Sequence, residues 1–101
     1  MIVKHSKEIE GEELGKDVVM KWVISEKDGA ENFYMRIIEA GPGTEGPPLH
    51  SHDYEHEMYI LEGRGVVVGE DGEKEFKDGD VIFIPPNEKH QIRHPDGIRF
   101  I

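Results

Sequence analysis

Four histidines, divided between two distant stretches of the chain, constrain the fold most strongly. His50, His52 and His56 fall within seven residues that lead into an apolar run ending at Gly63, and His90 lies near the end of the chain. Side chains two positions apart in an extended segment face the same way, so His50 and His52 can reach one point. Neutral imidazole is a common ligand of divalent transition metals. The pattern therefore predicts a metal site that joins separate strands of one fold.

Short strands separated by turn signals fill the rest of the chain. Apolar or alternating runs predict strands at residues 18–25, 32–40, 56–61, 66–68, 73–76, 81–84, 89–94 and 98–101. A short strand near Ile9 is the most that the charged N-terminus would form, and Asp71-Gly72 predicts a two-residue hairpin turn. This pattern is typical of an all-β sandwich or barrel. We expect an N-terminal arm at residues 1–16 and a single barrel domain at residues 17–101.

The histidine-bearing stretches resemble the two sequence motifs of the cupin superfamily. The first motif is written G-x5-H-x-H-x3,4-E-x6-G and the second G-x5-P-x-G-x2-H-x3-N. Six residues match these motifs at the family's spacing: His50, His52, Gly63, Gly79, Pro85 and His90. The match runs from about residue 43 to residue 94, about half of the chain. It implies a small single cupin barrel, a double-stranded β-helix or jelly roll, that holds one divalent metal ion.

The chain departs from the first motif at the glutamate. Counting six residues back from Gly63 places His56 at that position, whereas Glu57 lies one residue later. Neighbouring strand residues face opposite sides, so one of the two is expected to reach the metal. The alternatives are therefore a set with His56 or a set with Glu57. We favour His50, His52, His56 and His90, which resembles a subgroup of small cupins with a four-histidine site.

Three other departures concern turns and the end of the second motif. Asn87 replaces the motif's glycine, and asparagine tolerates a positive φ better than most residues. His94 replaces the motif's asparagine. Thr44 stands where the first motif begins with glycine, although glycines, among them Gly43 and Gly46, surround it. We therefore expect the turn and the flexible approach to persist.

Composition narrows the classes of partner and location. The 101 residues carry 12 basic and 22 acidic side chains, a net charge of −10, which argues against binding nucleic acid or an anionic membrane. The absence of cysteine excludes disulfides and thiolate metal sites. There is no apolar run of 18 residues and no signal-peptide core. We expect a cytoplasmic protein with a small-molecule partner, and the resemblance implies a homodimer.

Four neutral ligands would leave the ion its full positive charge, which makes it a strong Lewis acid. Manganese or iron is favoured, with zinc, nickel, cobalt and copper as alternatives, because all of them accept nitrogen ligands. Three classes of function remain open. The resemblance favours a dioxygenase-like oxidoreductase that acts on a small molecule. The alternatives are a metal-dependent isomerase or lyase, and a non-enzymatic module that binds a metal or a small molecule.

The sequence assigns no catalytic residue. At His94 we expect an exposed position at the end of a strand; the alternative is an acid–base group, for which His94 is the best candidate. Arg36 lies inside an apolar strand, where we expect it to pair with a carboxylate or reach the surface; binding an anion in the pocket is the alternative. Apolar residues that could face the interior are Phe33, Met35, Met58, Ile60, Phe83, Ile92 and Phe100. Such a wall would favour an apolar or aromatic substrate.

Overall fold

Nine strands form in the part of the chain that the structure, a computed structural model, describes: residues 1–44 and 47–101. They are β1 (Glu12–Gly15), β2 (Val18–Ile24), β3 (Met35–Ala40), β4 (His56–Gly63), β5 (Gly65–Gly69), β6 (Gly72–Phe76), β7 (Val81–Ile84), β8 (His90–Arg93) and β9 (Ile98–Phe100). Two 3₁₀ turns, Ser6–Glu8 and Glu26–Asp28, are the helical elements of these residues. Gly46, one of the glycines predicted to give a flexible approach, lies outside the described ranges.

The strands form two antiparallel sheets that enclose a barrel. The larger sheet has the order β1-β2-β3-β9-β4-β7, and the smaller one has the order β6-β5-β8. The predicted all-β barrel is therefore confirmed. Within residues 1–44 and 47–101, no helix has the length and apolarity needed to cross a membrane.

The core lies between the inward faces of the two sheets. Its buried apolar residues are Ala40, Met58, Ile60, Phe76, Ile84 and Ile98. Ile60, at the centre of β4, is completely buried. Because side chains alternate along a strand, β4 turns His56 to the same side as Met58 and Ile60, whereas Glu57 is exposed. The strand that anchors the core therefore also carries His56.

The structure shifts two of the predicted elements. Gly69 pairs with Gly72, so the hairpin turn consists of Glu70 and Asp71, one residue earlier than predicted. The N-terminal strand is β1 rather than a segment near Ile9, because pairing with β2 sets its position instead of its own apolar pattern. The division between an arm at residues 1–16 and a barrel at residues 17–101 stays a prediction.

Candidate metal centre

Main-chain hydrogen bonds bring the two histidine-bearing stretches together. The His50 N–H donates to the His90 carbonyl over 3.1 Å, and the His90 N–H donates to the His50 carbonyl over 2.8 Å. The Asn87 N–H donates to the His52 carbonyl over 2.6 Å. Asn87 has a φ of 67°, which confirms the turn expected where the motif has glycine. The backbone itself therefore places the loop before β4 beside the start of β8.

Three imidazole rings converge at this junction. One ring nitrogen from each of His50, His52 and His90 lies within 4.8 Å of the others. Two nitrogens on opposite sides of one ion, each at a bond length of about 2.1 Å, are about 4.2 Å apart. The three side chains are thus close to the spacing that a single transition-metal ion requires.

Main-chain carbonyls orient each of the three rings. The Nδ1 atoms contact carbonyl oxygens two residues away: His50 with Pro48 at 2.7 Å, His52 with Tyr54 at 3.0 Å and His90 with Glu88 at 2.8 Å. A carbonyl oxygen only accepts hydrogen bonds, so Nδ1 carries the proton and Nε2 keeps its lone pair in the neutral ring. This arrangement is typical of metal-binding histidines. The sequence does not indicate these contacts, because their acceptors belong to the main chain.

His56 lies next to this group of three, close to His52 and farther from His90. Its ring centroid is 4.3 Å from that of His52 and 6.3 Å from that of His90. The Nε2 atoms of His52 and His56 are buried and have no hydrogen-bond partner among the described residues. Burial, followed by the charges of His52 and Arg36, lowers the pKa of His56 to about 4. His56 is therefore neutral at pH 7, and the two free nitrogens fit a metal ion.

Glu57 has a different environment. Its side chain is exposed at the edge of the cavity beside Glu55. The negative charge of Glu55 raises the pKa of Glu57 above its ordinary value. The structure therefore turns His56 inward, whereas Glu57 faces solvent next to another carboxylate.

A cavity of about 1000 Å³ opens beside the histidines. Four histidines contribute to its lining: His50, His56, His90 and His94. The apolar part of the lining includes Met35, Ile38, Met58, Ile92 and Phe100. The prediction of an inward side chain is wrong for Phe83, which is 55% exposed. Its strand is apolar at every position, so alternation in the sequence could not show which side chains face inward.

Two further polar side chains lie in this cavity. His94 is buried, and its Nδ1 has no hydrogen-bond partner within the described ranges.

The Arg36 guanidinium lies over the ring of Trp22, 5.5 Å from its centroid. Ion pairs among residues 1–44 and 47–101 join Lys4 to Asp28 and Arg93 to Glu73. The carboxylate partner predicted for Arg36 is therefore absent from this part of the chain.

A comparison with protein families finds a family model that covers the residues of the candidate metal centre. The family model described as Cupin_2, a cupin domain, matches residues 36–100. This range begins within β3, includes strands β4 to β9 and contains all four of the histidines predicted to bind metal.

Comparisons with individual proteins find related chains at moderate identity. The uncharacterized protein MJ1618 of Methanocaldococcus jannaschii is 45% identical over 47 residues, which are 46% of this chain and 38% of that protein. The structure of the polyketide cyclase RemF from Streptomyces resistomycificus is similar over 99% of this chain and 75% of its own, with 31% identity and a TM-score of 0.84. A predicted oxalate decarboxylase from Thermotoga maritima matches 98% of this chain and 94% of its own, with 28% identity and a TM-score of 0.78.

Proposed function

This chain belongs to the cupin family, and on that basis we propose that it is a mononuclear metal-dependent enzyme that acts on a small molecule. Its ligands for one divalent transition metal are His50, His52, His56 and His90. One observation carries the proposal: the Nδ1 atoms of three converging histidines are bound to main-chain carbonyls, which leaves their Nε2 lone pairs free. The buried, unpartnered Nε2 of His56 supports the fourth position.

The protein's own contribution is a set of imidazole donors, three of which are oriented by the main chain. A divalent ion bound by four neutral imidazoles supplies Lewis-acid chemistry with its full positive charge. The chain fixes the ring orientations through the Pro48, Tyr54 and Glu88 carbonyls. His94 lines the same cavity, and its free Nδ1 can hold or release a proton there.

The reaction class that we favour is lyase, cyclase or isomerase chemistry without net oxidation. The two solved structures described above are named a polyketide cyclase and a predicted oxalate decarboxylase, at 31% and 28% identity. Cyclisation and decarboxylation need no external oxidant, whereas a dioxygenase consumes dioxygen. A dioxygenase-like oxidoreductase with manganese or iron is the second candidate, because an all-nitrogen donor set suits both metals.

The expected partners follow from the same features. The cavity of about 1000 Å³ supports a small-molecule substrate. The net charge of −10 supports the absence of nucleic-acid and anionic-membrane partners. The homodimer and the cytoplasmic location stay predictions.

Elemental analysis tests the proposal directly. The protein is purified without a histidine tag or added metal, its metal content is measured, and oxygen uptake is followed with candidate substrates. We expect about one transition-metal ion per chain and no oxygen consumption. Stoichiometric metal with substrate-dependent oxygen uptake would favour the dioxygenase candidate. Less than about 0.1 ion per chain, even after incubation with manganese, iron or zinc, would contradict the metal site.

A further inference from the structure

We propose that Arg36 binds the carboxylate of the substrate, so that this cavity selects small carboxylic acids with an apolar body. The inference deepens the proposed function, because it names the substrate class of the same cavity. It depends on where β3 places Arg36, on what the guanidinium contacts and on which other charges line the cavity.

The register of β3 turns Arg36 toward the interior. Arg36 alternates with Ile38 and Ala40, and Ala40 belongs to the buried core. Across the sheet it pairs with Trp22 of β2, which packs edge-on against Tyr34 with ring centroids 6.4 Å apart. Arg36 is half-buried and lines the same cavity as His50, His56 and His90.

The protein supplies Arg36 with poor partners. A guanidinium has five N–H donors. In the described part of the chain, the side-chain hydrogen bond of Arg36 runs from Nη1 to the Met20 sulfur at 3.6 Å, and a thioether is a weak acceptor. The face of Trp22 adds a cation–π contact. A half-buried cation held in this way has free donors, which an anionic ligand would satisfy.

The other charges around the cavity oppose a ligand with more than one negative charge, because three of the four are acidic. Among residues 1–44 and 47–101, four more charged residues line the cavity, and all are exposed: Lys16, Asp17, Glu55 and Glu57. Of the two Lys and Arg side chains in the described part of this lining, Lys16 is exposed and Arg36 is half-buried. A single guanidinium fork matches the two oxygens of a carboxylate, whereas a doubly charged phosphate usually recruits further donors.

The cavity wall determines the rest of the ligand. Met35, Met58, Ile92 and Phe100 line it with apolar surface. Such a wall stabilises a hydrocarbon or aromatic group by removing it from water, and it offers few partners to a polyhydroxylated sugar. The expected substrate therefore carries a carboxylate at one end and an apolar body.

Calorimetry with a matched pair of probes tests the proposal. 3-Phenylpropionate and 3-phenylpropionamide differ in charge but have nearly the same shape, and phenyl phosphate serves as a third probe. Each is titrated into the protein as purified and into Arg36→Met, Arg36→Lys and Arg99→Met. Arg99 is an exposed residue on β9 and controls for the general loss of a positive charge. Circular dichroism verifies that each variant is folded.

We expect the wild-type protein and Arg99→Met to bind the acid at least about tenfold more tightly than the amide. Arg36→Met should lose this preference and leave amide binding unchanged. Arg36→Lys should keep a smaller preference, because the charge remains but the planar fork is lost. If Arg36→Met fails to fold, Arg36→Gln is measured in the same way, with the same expected loss.

Equal binding of acid and amide by the wild-type protein would overturn the proposal. So would a preference for the acid that survives in Arg36→Met, since the carboxylate would then bind elsewhere, for instance to the metal. Tighter binding of phenyl phosphate than of the acid would overturn the carboxylate assignment. Metal analysis of the same samples separates the two proposals. Metal without an Arg36-dependent preference contradicts only this inference, and the preference without metal contradicts only the metal-dependent function.

Discussion

At the scale of single residues, the candidate metal centre depends on which nitrogen of each imidazole is free. His50, His52 and His90 each commit Nδ1 to a carbonyl two residues away, so rotation of the ring would break a hydrogen bond. His56 lacks such an anchor among the described residues, but burial keeps it neutral. The three anchored rings are therefore expected to define the site, and His56 to complete it.

Substitution of the individual ligands tests this arrangement. His50→Ala, His52→Ala and His90→Ala should each lower metal affinity by more than about 100-fold, because each removes one of few donors. His56→Ala should also lose metal, whereas Glu57→Ala should keep about one ion per chain. The measurement is metal content after dialysis, with His5→Ala, an exposed histidine, as the control. Loss of metal from Glu57→Ala with full content in His56→Ala would assign the fourth position to Glu57.

Some of these residue-scale features were predictable and others were not. Spacing was enough to predict that His50 and His52 face the same way, because side chains two positions apart in an extended segment share a face. That His90 joins them was implied by the resemblance to the second cupin motif. The sequence did not indicate that Pro48, Tyr54 and Glu88 would supply the carbonyls, since every residue carries one. It also could not predict what Arg36 contacts, because its neighbours Met20 and Trp22 depend on the register between β2 and β3.

At the scale of strands and turns, close approach between neighbouring elements restricts several positions. Gly63 ends β4 with a φ of 118°, and it pairs with Ile98 at the start of β9. A Cβ atom on Gly63 would lie 2.7 Å from the Gly97 carbonyl oxygen and 3.1 Å from the Ile98 Cα. This contact gives a physical reason for glycine at the position that matches the end of the first motif.

Replacement of Gly63 should therefore destabilise the barrel. We expect Gly63→Ala to lower the free energy of unfolding by about 1–3 kcal/mol, from both the positive φ and the contact with the backbone of residues 97 and 98. Gly15→Ala is the matched control, because a Cβ there meets no atom within 4 Å. Urea unfolding of both variants provides the measurement. Equal stability of Gly63→Ala and the wild-type protein would contradict the expected contact.

The 3₁₀ turn at Glu26–Asp28 links the N-terminus to the barrel. The Asp28 carboxylate accepts the Ser25 N–H over 3.0 Å and pairs with Lys4. The bond to Lys4, followed by that to Ser25, lowers the pKa of Asp28 below its ordinary value. A carboxylate whose pKa is lowered by folding stabilises the folded state above its ordinary pKa, and this stabilisation is lost as the pH falls through the lowered value.

Asp28→Asn should thus destabilise the protein in a pH-dependent way. We expect a lower midpoint of thermal unfolding than in the wild-type protein at pH 7, and a difference that narrows as the pH falls from about 4 through the lowered pKa of Asp28. Glu31→Gln, at an exposed carboxylate nearby in the chain, controls for the loss of one negative charge. A difference that stays constant over this pH range would show that ionisation of Asp28 does not contribute.

The bounds of a strand were predictable where its own sequence has a strong apolar pattern. The bounds of β7, Val81–Ile84, agree with the predicted ones because Pro85 breaks an apolar run there. The position of β1 could not be read from its sequence, since all four of its residues are exposed and only pairing with β2 defines them. β1 and β7 are the two edge strands of the larger sheet. A local signal therefore determined the bounds of β7, whereas pairing with β2 determined those of β1.

At the scale of the whole molecule, the candidate metal centre joins segments that are far apart in the chain. His50 and His52 belong to the loop before β4, His56 begins β4 and His90 begins β8. β4 lies in the six-stranded sheet and β8 in the three-stranded sheet. An ion held by all four would connect the two sheets, in a chain of 101 residues.

Removal of the metal should therefore lower the stability of the entire domain. A ligand that binds only the folded state adds about 2.7 kcal/mol when its free concentration is 100 times its dissociation constant. For a chain of this size we expect the midpoint of thermal unfolding to fall by about 10 °C or more after treatment with a chelator, and to recover when metal is restored.

Calorimetry of the wild-type protein and of His90→Ala, each with and without chelator, separates this effect from direct damage to the fold. His90→Ala should unfold at the same temperature in both conditions. A wild-type midpoint that does not respond to chelation, in protein shown to have lost its metal, would mean that the ion does not stabilise the junction between the sheets.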